Sequence, residues 1–473
     1  MGREKQKIAN IICFMTGPIA ASIIGLITTP VITFFISPEE FAKANLFQMF
    51  QTIISTFVYL GFDQSYVRFF HEKKYKDKVF ENSFLLPMLL AVLGAITILL
   101  VKNDFASYLF SDSNEILPIC IMAISIPLLV LERFLLLNLR MQEKGAAYSS
   151  LTLLLKIVIL VVTTGLLVFG RRDYKAVIYG SVCGEILYDA ILILYCRKTI
   201  KEITWKKIDI KVVKAFAVYS IPLAPIDLIS KLLNSTDRIF IKKYLTMTDV
   251  GIYATALRVT GLIAIVKSSI TSFWVPISFR WSAEGDHEKD YNKVMEIVSA
   301  IMIAGCCLGL LIKRYIFLLF GREYREAQYI FPYLMFYPVL YTITETFSIG
   351  ITIKKKGYII TLISLVSLIV NIGMNIFCVP RFGAVGAAFA TAVSNLLYFF
   401  SIMFFSRKLW FKFPAKKIII SVLVLCITTT FNVVIKNKFI YLINVLSIVS
   451  IIIIYRNITE DLIVFCKKYL IKK

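Results

Sequence analysis

Apolar positions in this chain neither alternate nor mark one face of a helix; they run on in long unbroken blocks. Runs long enough to cross a bilayer fall at about 8–35, 45–62, 83–101, 116–136, 147–169, 176–196, 216–236, 250–279, 294–312, 327–350, 358–379, 383–405, 417–435 and 439–455. In lipid, backbone N–H and C=O groups must be satisfied within the segment, so each run predicts a membrane-spanning helix. The pattern therefore predicts an all-α polytopic membrane protein of about 14 transmembrane helices. The loops between runs stay within about 20 residues, which leaves no room for an extramembrane catalytic domain. No catalytic residue is expected.

The blocks also repeat. Phe110 closes Asn103-Asp-Phe-Ala-Ser-Tyr-Leu-Phe and Phe320 closes Lys313-Arg-Tyr-Ile-Phe-Leu-Leu-Phe, 210 residues on. Gln142-Glu-Lys-Gly145 recurs as Lys354-Lys-Lys-Gly357, and Glu39-Glu-Phe-Ala42 as Thr248-Asp-Val-Gly251. Ala176-Val177 recurs inside Gly383-Ala-Val-Gly-Ala-Ala388. The near-constant offset pairs the first six spans with the second six, and the last two have no counterpart. Six is even, so the two repeats run parallel, related by an axis along the membrane normal. This predicts a first six-helix bundle over 1–200, a basic cytoplasmic linker over 201–215, a second bundle over 216–406, and two extra helices with a basic tail over 407–473. A duplicated multi-span domain is the pattern of a secondary transporter, with cargo held between halves that rock so that one mouth opens at a time.

Composition sharpens that picture. Hydrophobic residues make up 58% of the 473 and charged residues only 18%, so the whole chain is membrane-embedded rather than anchored. The net charge of +23 comes from Lys and Arg spread over short loops with no nucleic-acid motif, so nucleic acid is excluded as a partner. With the amino terminus inside, and Arg133 and Lys417 at span ends counted with the loops they adjoin, 34 of the 53 basic residues face inward, 15 face outward and four lie within spans. The rule that basic loops stay cytoplasmic then puts both termini and the 197–214 loop inside. The apolar stretch after Arg3, Lys5 and Lys7 is too long for a signal peptide and is read as the first span. Nine cysteines without ligand spacing and two histidines give no metal site, and no cofactor is expected.

Several stretches in order carry a family resemblance. Leu60-Gly-Phe-Asp-Gln-Ser-Tyr-Val-Arg-Phe-Phe70 ends the second span, and Ser220-Ile-Pro-Leu-Ala-Pro225 opens the seventh. Asn234-Ser-Thr-Asp-Arg-Ile-Phe-Ile241, Val250-Gly-Ile-Tyr253, Leu319-Phe-Gly-Arg-Glu-Tyr324 and Gly383-Ala-Val-Gly-Ala-Ala388 follow. Together they resemble the polysaccharide-transporter (Wzx-type repeat-unit flippase) branch of the multidrug/oligosaccharidyl-lipid/polysaccharide exporter superfamily. The resemblance implies V-shaped, MATE-like bundles with spans 1, 2, 7 and 8 lining a central cavity. It implies undecaprenyl-pyrophosphate-linked oligosaccharide as cargo, carried to the outer leaflet of the bacterial cytoplasmic membrane for O-antigen, capsule or exopolysaccharide. Membrane lipids, a polysaccharide polymerase and export machinery are the implied partners. A lipid II flippase or a drug or cation exporter of the same superfamily is the alternative.

The chemistry-bearing residues follow from depth and spacing. A charge at mid-bilayer depth costs about 2.5–3.5 kcal/mol, so each needs a reason. Asp227, Lys231, Asn234 and Arg238 share one helical face on span 7. Lys and Arg suit pyrophosphate and Asn suits sugar hydroxyls, while an Asp227–Lys231 pair that only steadies the helix is the alternative. Arg258 on span 8 is the leading single residue, opposite Gln48 of span 2 by the repeat. There Asn45, Gln48, Thr52, Ser55 and Tyr59 form a polar and aromatic stripe, read either as a sugar surface or as interhelical hydrogen bonding. Lys267 lies on the opposite side of span 8 from Arg258 unless the helix bends at Gly261. Asp63, Arg68 and Arg280 at inner helix ends, with Lys267, are read as gating or lipid-phosphate residues, with snorkelling helix-end charges as the alternative for the first three. Lys156, Glu185, Asp189 and Glu345 fall outside the expected lining and are read as ion pairs within the bundles, with proton or ion coupling as the other role.

Overall fold

Apolar blocks with few Gly or Pro leave the backbone one way to satisfy itself in lipid, and the structure follows it. The computed structural model describes residues 2–75, 78–285, 287–435 and 437–456, and every regular element among them is helical. The basic tail from residue 457, and with it the carboxyl terminus placed inside by charge, lies outside the described residues.

The chain divides into two compact units. The first holds residues 1–238 with 247–251. Its helices are α1 (Gly2–Phe35), α2 (Pro38–Tyr59), α3 (Phe62–Phe69), α4 (Val79–Leu100), α5 (Lys102–Phe110), α6 (Ile116–Met141), α7 (Gly145–Phe169), α8 (Tyr174–Tyr195), α9 (Arg197–Glu202), α10 (Ile210–Ser220) and α11 (Ala224–Leu233). α12 (Thr236–Tyr244) follows, and only its first residues belong to this unit.

Local chemistry sets the boundaries. Ser37 caps α2 by accepting from the Glu40 amide, Pro38 opens the helix, and Glu39 and Glu40 sit against its positive end. Leu60 and Gly61, both with positive φ, turn α2 into α3. Pro222 and Pro225 cannot supply the amides that would continue α10, so the seventh span bends by 47° between Ile210–Ser220 and Ala224–Tyr244.

α1 packs on α7, α7 on α8, and α4 on α6. Leu135, Leu139, Leu151, Tyr188 and Leu192 fill the seam between α6, α7 and α8. Just beyond the second span, Ser65 donates to the Phe216 carbonyl at 3.0 Å and pairs with the Ser220 hydroxyl, while Phe69 stacks on Phe216 at 4.8 Å. Gly251 lies where a Cβ would come within 1.9 Å of the Pro38 carbonyl oxygen, so only glycine permits that crossing.

The second unit holds residues 239–246 and 252–473. After α13 (Met247–Glu284), which starts in the first unit, it contains α14 (Glu288–Leu318), α15 (Ala327–Leu334), α16 (Phe336–Ile353), α17 (Tyr358–Leu409), α18 (Lys416–Val434) and α19 (Phe439–Ile454). α17 has 52 residues, and at about 1.5 Å per residue such a helix would be about two and a half times as long as the hydrocarbon layer is thick. It is two helices folded back on each other, as Asn371 reaching both Thr391 and Ser394 requires. Gly383, at φ 63° and ψ −149°, breaks it three residues after Pro380, between the two apolar runs read from the sequence.

Polar seams tie these helices where lipid offers no hydrophobic drive. Asn371 donates to Thr391 at 3.1 Å across the two halves of α17. Asn432 donates to Asn444 at 2.6 Å between α18 and α19.

Among the described residues eight helices are long and apolar enough to cross a membrane, nine if the bent seventh span counts as one. Ile19–Phe35 and Phe439–Ile454 are shorter apolar helices. Large apolar side chains such as Leu93, Val161, Phe169, Leu362 and Ile453 are exposed on the helix surfaces, as lipid contact requires and water does not allow. The protein is an all-helical, multi-pass membrane protein.

Candidate functional site

In the first unit the two predicted polar stripes meet at one point. Arg238, just past the Asn234–Ser235 turn, donates to the Asn45 side chain at 2.7 Å and to the Asn234 carbonyl at 3.0 Å. α11 packs on α2, which brings the segment into register. Asp227 and Lys231 stay exposed one turn apart on α11, while Asn234 is half-buried at its end. The face expected to be one continuous helical stripe is thus carried by α11 and α12 with a turn between them.

On α2, Gln48 is half-buried and Thr52 exposed, with the Thr52 hydroxyl donating back to the Gln48 carbonyl at 2.8 Å. Tyr59 donates to the Leu129 carbonyl at 3.2 Å, so its hydroxyl is committed to α6. Gln51, one position off the predicted stripe, reaches inward to Ser125 at 3.0 Å and Glu185 at 3.4 Å.

Asp63 is 5% exposed and accepts from Arg133 at 2.7 Å. This pair anchors α3 to α6. Arg68 turns outward and pairs with Glu72 at 3.1 Å. Beside Arg133 lies a pocket of about 140 Å³ lined by Tyr59, Glu132, Arg133, Arg140 and Tyr148. Glu132, Arg133 and Arg140 are the charged groups of this pocket, and the sequence does not single them out because the fourth span falls outside the expected lining. The adjacent Glu132-Arg133 inside an apolar run was the available signal.

In the second unit Arg258 is exposed on α13, although Tyr253, Ala254, Thr255, Ala256 and Val259 around it are buried. Lys267 turns to another side. Its ammonium sits 3.6 Å from the Tyr341 ring centroid and 5.8 Å from that of Tyr337. Glu345 is within its electrostatic reach and accepts from the Thr271 hydroxyl. α13 runs through Gly261 as one helix, so Arg258 and Lys267 keep the opposed directions that their spacing dictates. Arg280 is exposed and pairs with Glu284 at 3.7 Å, 212 residues beyond the Arg68–Glu72 pair.

Among the described residues no group of three His, Cys, Asp or Glu converges closely enough to hold a metal ion.

Over residues 8–282 the sequence matches the family of polysaccharide biosynthesis proteins. The chain belongs to that family. A curated relative, the probable low-salt glycan biosynthesis flippase Agl15 of Haloferax volcanii, is 24% identical over 155 residues. That match spans 32% of this chain and 33% of the relative, about a third of its length.

Solved structures give the fold of this polysaccharide biosynthesis protein. The lipid II flippase MurJ in an inward closed conformation superposes with a TM-score of 0.68 at 19% identity, covering 96% of this chain and 100% of MurJ. An inward-facing MATE multidrug transporter of the MOP superfamily reaches 0.67 at 14% identity, over 82% and 94% of the two chains. A MOP superfamily transporter from Pyrococcus furiosus Vc1, described by a binding pocket of reversed polarity, reaches 0.61 at 14% identity, over 85% and 95%. The fold is therefore that of the MOP transporters.

Proposed function

We propose that this chain is a flippase that moves an undecaprenyl-pyrophosphate-linked oligosaccharide across the bacterial cytoplasmic membrane, for synthesis of a surface polysaccharide. Two parallel six-helix repeats, 1–200 and 216–406, would give it alternating access, with both termini and the basic 197–214 loop cytoplasmic.

The observation that carries this reading is the sign of the charges within the spans. Arg258 is an exposed residue among buried neighbours on α13, and Lys231 is exposed on the broken seventh span. Cations at that depth attract an anionic headgroup and repel the organic cations that drug exporters carry. Discontinuous helices with polar residues at the break are a recurrent way for transporters to hold cargo, and the Pro222–Pro225 break precedes Asp227 and Lys231 directly. Tyr59, Thr52 and Gln48 on α2 supply the aromatic and hydroxyl groups that a sugar needs. Family membership and the glycan flippase relative from Haloferax volcanii support a glycan cargo. The Pyrococcus furiosus transporter, described by a pocket of reversed polarity, supports a charge sign that changes with cargo within one fold.

The test is reconstitution of the purified chain in vesicles, following a fluorescent polyprenyl-pyrophosphate oligosaccharide in each leaflet. Movement is expected for this lipid and not for the same sugar on a neutral lipid. Equal rates for both would overturn the pyrophosphate reading, and transport of organic cations alone would return the chain to the drug exporters.

A further inference from the structure

Lys267 lies inside the second unit in surroundings that suit a ligand cation. Its ammonium stands 3.6 Å from the centroid of the Tyr341 ring and 5.8 Å from that of Tyr337, both within the range of cation–π attraction. The two tyrosines are one turn apart on α16, so they stand on one side of that helix. Glu345, a further turn along the same face, adds a carboxylate within electrostatic reach of Lys267.

This cage is braced by its neighbours. Tyr398, on the second half of α17, lies parallel to Tyr341 with ring centroids 6.1 Å apart. Thr271 donates to the Glu345 carboxylate, and the Trp274 indole donates to the Glu345 carbonyl at 3.3 Å, which ties α13 to α16 beside the cage. Lys267, Tyr337, Tyr341 and Glu345 are each half-buried, so the group is reachable rather than sealed in the core. The first repeat has no counterpart. Tyr59 stands at the position of Lys267, 208 residues earlier, and the aligned stretch 124–131 holds no aromatic residue.

A lysine within a span needs its charge balanced, and one carboxylate does that. Two electron-rich rings beside the carboxylate exceed what balance requires. Rings and a carboxylate around one ammonium are the composition of sites that recognise alkylammonium ligands.

We propose that Tyr337, Tyr341 and Glu345 form an organic-cation site that the protein keeps filled with its own Lys267. A tethered ammonium has little translational freedom to lose on entering, so it outcompetes a dissolved cation at ordinary concentrations. Lys267 is thereby a specificity-determining residue that closes the second unit to organic cations. The cage does not depend on which cargo the chain carries, so its test uses none.

The experiment is thermal unfolding of the purified full-length chain in lipid nanodiscs. The probes are propylammonium, which replaces what Lys267→Ala removes, and propanol, its neutral counterpart. Lys267→Ala should unfold at a temperature that rises saturably with propylammonium and not with propanol, because a ligand that binds the native state stabilises it. Wild type should show no such rise, and neither should Lys267→Met, whose unbranched side chain still fills the cage. Tyr341→Leu added to Lys267→Ala should abolish the rise. A rise in wild type equal to that in Lys267→Ala would put the binding elsewhere and overturn the proposal. So would no rise in Lys267→Ala, or one that survives Tyr341→Leu. A second measurement leaves the lysine in place and serves if Lys267→Ala does not fold. Acylation of Lys267 by a membrane-permeant active ester, read by mass spectrometry, should increase several-fold in Tyr341→Leu, where the ring no longer holds the ammonium. Unchanged acylation would overturn the proposal equally.

Discussion

The Arg238 guanidinium donates to the Asn45 carboxamide at 2.7 Å, so the segment beyond the broken seventh span is fastened to the start of the second. A hydrogen bond to a charged group contributes about 1.5–3 kcal/mol, and truncating one partner strands the other. Asn45→Ala should lower the unfolding temperature of the detergent-solubilised protein, followed by size-exclusion fluorescence after heating. Asn45→Asp, which offers a full charge to the same guanidinium, should hold or raise it. Equal unfolding temperatures for all three proteins would show that this contact contributes nothing to stability.

Arg258 should act through its charge. A guanidinium meets a phosphate bidentately, and an ammonium meets it only as a point charge. Arg258→Ala is expected to reduce surface polysaccharide sharply while the protein still reaches the membrane, and Arg258→Lys to restore part of it. Cell-surface polymer staining beside immunoblots of membranes measures both. Normal polymer with Arg258→Ala removes Arg258 from the cargo path.

Gly251 tolerates no side chain. Its would-be Cβ lies 1.9 Å from the Pro38 carbonyl oxygen, and backbone cannot yield as a flexible side chain does. Gly251→Val should cost at least the ~1–3 kcal/mol of an overpacked core, and more if α13 must shift away from α2. Membrane yield and thermal unfolding report it. Gly261→Val, where nothing lies within 4 Å, is the control that should behave as wild type.

Topology is expected to follow the basic residues. A phosphatase or fluorescent reporter fused after Lys214 should read cytoplasmic, on the strength of the 34 to 15 division of Lys and Arg. An outward reading there would overturn the orientation and with it the direction of transport.

The spans are legible in the sequence because lipid allows the backbone so few solutions: a long apolar run can only be a helix. Breaks are legible where covalent geometry forces them, as at Pro222 and Pro225, and at Pro380 with Gly383. The partners of the polar residues are a different matter. Spacing along one helix fixes a face, but not the helix which that face meets. Lys267 has a legible direction opposite Arg258, yet nothing local identifies Tyr341 and Glu345 as its surroundings. Asp63 is legible as a helix-end acid, whereas its bond to Arg133 depends on α3 packing against α6. Arg238 and Asn45 each stand on a legible stripe, and only the turn after α11 brings them to each other.

The amide pair between α18 and α19 bears on how the chain is made. Asn432 and Asn444 bond at 2.6 Å, with Thr428 and Ser447 at 2.6 Å beside them, so each helix covers the polar groups of the other. Released singly during synthesis, α18 would present its asparagine to acyl chains. Released as a hairpin, the two helices enter the bilayer with those groups already answered. A chain cut between them should therefore be held at the insertion machinery or degraded, even though every helix from α1 to α18 precedes the cut.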